Sequence, residues 1–92
     1  MDNEAKNELS SIVSPSFESL VSSVYSAVLL NLGEIKVKGV GGRNENLEIA
    51  KFNIGLLKML EEKTKGNLSA EENSYLHGVI LNSEEKLREH SL

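Results

Sequence analysis

The stretch "EEKTKGNLSAEE", residues 61–72, sets two lysines, a glycine and an asparagine between two acidic pairs. Such a stretch either holds an anion or turns a corner between helices. Lys63 and Lys65 suit the last turn of a preceding helix, where cations complement the carbonyl end of its dipole. Gly66 suits the left-handed position after that helix, which β-carbons disfavour. Ser69 can cap a following helix, and Ser69-x-x-Glu72 has the spacing of a capping box. Leu68, between them, can plug a core. The competing reading makes Lys63, Lys65 and Asn67 a corner that binds an anionic ligand or nucleic acid, using the free N–H groups that open the next helix. A phosphate-binding Walker loop, however, places its glycines before the lysine and follows a strand. Here the lysines end a helix and Glu61, Glu62, Glu71 and Glu72 surround them, so the corner reading is preferred.

Upstream of this corner the spacing predicts a helix over 47–64, with Asn46 or Asn44 as N-cap and Glu48 in the first turn. It carries two apolar stripes. Leu47, Ala50, Ile54 and Leu57 make one; Ile49, Phe52, Leu56, Met59 and Leu60 make the other. Together they exceed the single stripe of an ordinary surface helix. A helix this apolar must be covered from more than one side. Phe52, Leu56 and Met59 are therefore candidates for a self-association surface, with a symmetric homodimer as the expected assembly.

Downstream a third helix is predicted over 70–89. Leu76, Val79, Ile80, Ser83 and Leu87 trace its inward face. Gly78 weakens it, and Glu84 with Arg88 is expected to form an exterior i, i+4 pair, as are Lys58 with Glu62 and Glu61 with Lys65. A first helix is predicted over 15–32 from Phe17, Leu20, Val21, Val24, Tyr25, Val28, Leu29 and Leu32. Ser14 is its expected N-cap, Pro15 its first residue and Gly33 its terminator. Residues 33–46 are glycine-rich and read as a long loop. Residues 1–13 are polar and read as a flexible tail before a single helical domain over 14–90. The expected fold is thus all-α: a small three-helix unit of helix, long loop, helix, tight turn and helix, which self-associates.

Ninety-two residues allow one such domain. Zero cysteines exclude disulfides, thiolate metal sites and cysteine nucleophiles. A net charge of −4 and 4% aromatic residues argue against nucleic acid as a partner. The first residues lack the basic and apolar regions of a secretory signal, and the longest apolar run, residues 27–30, is far too short to span a membrane. The chain reads as cytoplasmic and not membrane-bound. His77 and His90 are the only histidines and lie in no ligand cluster, so no metal or cofactor is expected. No nucleophile motif is present, and the chain reads as a non-enzyme.

The segment "NLEIAKFNIGLLKMLEEKTKGNLSAEE", residues 46–72, resembles the signature of a family of short bacterial proteins called domain of unknown function 1844. The matching features are an Asn-Leu-Glu-x-Ala-Lys start, a Leu-x-Met-Leu-x-x-Lys-Thr-Lys-Gly-Asn-Leu core and an acidic residue at Glu72. Phe17 to Gly33 also fits the family's aromatic-start, Leu-Gly-end segment. Gly55 departs from it, standing where many members carry an aspartate. The resemblance implies a small helical fold over residues 17–88 and carries no active site with it.

Overall fold

Ser16, not Ser14, opens the first helix. In the computed structural model, which describes residues 14–35 and 45–91, helix α1 runs Phe17–Leu32. The Ser16 Oγ accepts the Ser19 amide at 3.0 Å, the bond that defines an N-cap. Two serines two residues apart are equivalent to a reader of local pattern. The helix end follows expectation. Gly33 has φ +79, and the amides of Gly33 and Glu34 donate to Leu30 and Leu29, a Schellman ending.

Helix α2 runs Leu47–Lys63. Its N-cap is Asn46, whose Oδ1 accepts the amides of Glu48 and Ile49 at 3.0 and 3.1 Å. Helix α3 runs Ala70–Ser91, two residues past the expected end. The three helices are the only helices or strands among the described residues, so the all-α, three-helix expectation is met. The expected tail, 1–13, lies outside the described residues, and so does most of the expected loop.

Each helix packs on both others. Val21, Val28 and Leu32 from α1, Ala50, Ile54 and Leu57 from α2, and Leu76, Val79 and Ile80 from α3 form the buried centre. Phe17, Val24, Tyr25, Leu60, Leu68 and Leu87 close round it. Leu20, expected on the inward stripe of α1, is largely exposed. Ser83 lies fully buried among these side chains, as its place on the stripe predicted, and its hydroxyl meets no hydrogen-bond partner.

Polar contacts tie the helices together at the end where α1 and α3 finish and α2 begins. The Asn46 amide donates to the Asn31 carbonyl at 2.8 Å, fixing the start of α2 to the end of α1. Glu34, just past α1, accepts from His90 at 3.0 Å and pairs with Lys86 at 3.5 Å, both on α3. His90 thus lies in the last turn of α3, held by this contact. The His90 hydrogen bond, followed by the Lys86 charge, holds the Glu34 carboxyl below its ordinary value. Near the middle, the Asn82 amide donates to the Tyr25 hydroxyl at 2.8 Å.

Candidate functional site

The two stripes of α2 separate, except that Leu60, expected with the second, packs inward with the first and Leu47 turns outward. Ala50, Ile54 and Leu57 are buried, and Leu60 packs beside them. Ile49, Phe52, Leu56 and Met59 follow one another at spacings of three, four and three, the interval that keeps side chains on one helical face. At 3.6 residues per turn this second face stands roughly opposite the buried one. Phe52 is 65% exposed, Ile49 45% and Met59 43%, while Leu56 is half-buried. Only Leu47, expected to face inward, joins the exposed residues from the first stripe.

This exposure follows from the packing geometry. Two neighbouring helices cover the inward face and its flanks. A three-helix unit has no fourth element, among the described residues, to lay over the far side of α2. Exposed single apolar residues are ordinary; here three exposed residues and the half-buried Leu56 stand in register on one helix face.

The corner at 64–69 is built as the sequence indicates, with one shift. Helix α2 ends at Lys63, so Lys65 lies in the turn rather than in the helix. The Thr64 amide and hydroxyl both donate to the Leu60 carbonyl, and the Asn67 amide donates to Thr64 at 2.9 Å. Gly66 takes φ +83. The capping box is complete: the Ser69 amide donates to Glu72 Oε1 at 2.8 Å, and the Glu72 amide to Ser69 Oγ at 3.1 Å.

Of the expected anion corner, Lys63, Lys65 and Asn67 are each exposed. Lys65 lines an open groove of about 510 Å³ with Lys58, Glu61, Glu62, His77 and Glu84. Three carboxylates there face two ammonium groups. The surface pairs also differ from the i, i+4 expectation. Lys58 reaches across to Glu84 on α3 at 2.6 Å, and Glu61 meets His77 at 3.2 Å. Packing α2 on α3 brings these groups closer than a helical turn does.

One groove escaped the sequence reading because its cations come from two helices. Lys51 and Lys58 of α2 and Arg88 of α3 rim about 280 Å³ above Ile54, Gly55 and Leu87. Glu84 fills part of it through its pair with Lys58. Along α1 the hydroxyls of Ser16, Ser19 and Ser23 are occupied by bonds within and just before the helix. Among the described residues no group of three or more His, Cys, Asp or Glu side chains is placed to hold a metal ion, and no helix is long and apolar enough to cross a membrane.

Comparison with known proteins gives one match. The family described as Domain of unknown function (DUF1844) matches residues 14–88, which include all of α1 and α2 and most of α3. No curated protein and no solved structure matches the chain.

Proposed function

The chain belongs to the DUF1844 family, and on that premise we propose that it is a non-enzymatic helical interaction module that associates with itself in the bacterial cytoplasm. The observation that carries the reading is the outward stripe of α2, with Phe52 65% exposed at its centre. Fully burying a large apolar side chain is favourable by about 1.5–3 kcal/mol, so a face of four favours a cover. A chain of 92 residues has little core with which to offset that loss. A second copy supplies the cover without requiring another gene product, and closed two-fold pairs are the commonest such solution. The absence of cysteine suits a reducing compartment.

The test is light scattering across micromolar concentrations, with Phe52→Glu alongside. The full chain is expected to dimerise. Phe52→Glu is expected to be monomeric with its helical circular dichroism intact, because Phe52 takes no part in the core. A wild-type chain that stays monomeric at the highest concentration overturns the reading. So does self-association that disappears with moderate salt and survives Phe52→Glu, which would point to the Lys63 and Lys65 corner.

A further inference from the structure

We propose that the second copy docks antiparallel along α2, about a two-fold axis beside position 54. Ile49 of each copy then lies against the partner's Met59, and Phe52 against the partner's Leu56. This rests on the self-association reading above and fixes its geometry.

The spacing of the stripe sets the possibilities. Three, four and three reads the same in both directions, with its midpoint at position 54. Apolar register alone therefore permits a parallel or an antiparallel pair. The charges beside the stripe choose between them. Four residues beyond Met59 the same face ends in the exposed Lys63. At the other end Glu48 precedes Ile49, its side chain 84% exposed and paired with Lys51 at 3.4 Å. A parallel pair sets Lys63 directly against the partner's Lys63, a like-charge contact on the seam. An antiparallel pair sets Lys63 within three residues' rise, about 4.5 Å, of the partner's Glu48. Long side chains close that gap. The helix dipoles also oppose one another only in the antiparallel pair.

Size and shape agree with this choice. A parallel pair stacks Phe52 on the partner's Phe52 and Ile49 on the partner's Ile49. An antiparallel pair sets each larger residue against a different, smaller or more pliable one, and Met59 adapts its shape to Ile49. The apolar seam from Ile49 to Met59 is about 15 Å long. It is too small to supply by itself the roughly 800 Å² per partner of a standard interface, so the expected affinity is micromolar.

The cysteine-free chain makes the geometry directly testable. Ile49→Cys and Met59→Cys are made singly, with different tags, in the full chain and oxidised mildly alone and as an equal mixture. A disulfide needs Cβ atoms about 3.5–4.5 Å apart, so bridging reports register. The mixture is expected to give a covalent Ile49→Cys with Met59→Cys heterodimer, and each single variant alone to give none. Bridging of each variant with itself, and not in the mixture, overturns the antiparallel geometry while self-association stands. A dimer by light scattering with no bridge in any sample overturns the seam. A monomer overturns this inference together with the function it rests on. As a second measure, Lys63→Glu is expected to weaken the dimer several-fold at low salt, and Lys63→Glu with Glu48→Lys to restore it. Equal dimerisation of all three chains refutes the charge argument.

Discussion

Replacing Gly66 and Gly78 by alanine, one at a time, adds the same methyl group at two sites with equally empty surroundings. No atom lies within 4 Å of either added Cβ. Only the backbone differs. Gly66 holds φ +83, whereas Gly78 is an interior residue of α3. At Gly66 the left-handed conformation costs an alanine about 1–2 kcal/mol. The loss of unfolded-state freedom returns about 0.4–1 kcal/mol, leaving a net loss of roughly 1 kcal/mol. At Gly78 alanine gains about 0.8–1.0 kcal/mol of helix propensity. The two variants therefore differ by about 2 kcal/mol, which for a domain of this size separates their melting temperatures by roughly 8–16 °C. Thermal unfolding followed by circular dichroism measures this, at one fixed protein concentration because association makes Tm concentration-dependent. A stabilised Gly66→Ala would refute the assignment of the corner. A destabilised Gly78→Ala would show that a second body approaches the outer face of α3 closely enough to exclude a methyl group.

Ser69→Ala is expected to cost about 0.5–2 kcal/mol in urea denaturation, and Glu72→Ala less, since the second removes only the reciprocal half of the capping box. Ser83→Ala is expected to raise stability by about 1 kcal/mol, because it removes a buried hydroxyl that meets no partner; a loss of that size would show the hydroxyl to be bonded in solution. Glu34 titrates below its ordinary value in the folded chain, so its contribution is complete above the unfolded carboxylate value and is lost as pH falls through the lower, folded one. Acid titration of stability is expected to show that loss in the wild type and a shallower slope in Glu34→Gln; equal slopes would show that the His90 and Lys86 contacts do not persist in solution.

Local chemistry was the legible part of this fold. Gly33, Gly66 and the Ser69–Glu72 box each act within a few residues of themselves, and each was readable from spacing alone; Asn46 was one of two caps the spacing allowed. Ser14 was mistaken for Ser16 because both offer the same hydroxyl and Pro15 tolerates either frame. The end of α3 was read short because the groups that hold it, Glu34 with Lys86 and His90, are more than fifty residues apart in sequence. The same reason misdirected the ion pairs: a local rule supplies Glu62 or Arg88 as neighbours, and only tertiary packing supplies Glu84 to Lys58. For the candidate surface, the excess of apolar positions in α2 was visible at once. Which of its two stripes faced inward depended on the docking of α1 and α3, as did the gathering of Lys51, Lys58 and Arg88 round one groove.

The connections between the helices are unequal, and this bears on the order in which the molecule assembles. Six residues, 64–69, join α2 to α3, and the turn is held by hydrogen bonds among residues 60–73. Fourteen residues separate α1 from α2, and among the described residues the Asn46 amide, donating to the Asn31 carbonyl, brings the ends of this longer loop together. Closing a longer loop forfeits more chain entropy, so contacts across the short turn form first. The α2–α3 hairpin is then the first unit to assemble, and α1, which packs on both of its helices, completes the core afterwards. The outward stripe of α2 belongs to the earlier unit, so a pairing surface is available to a second chain before the fold around it is complete.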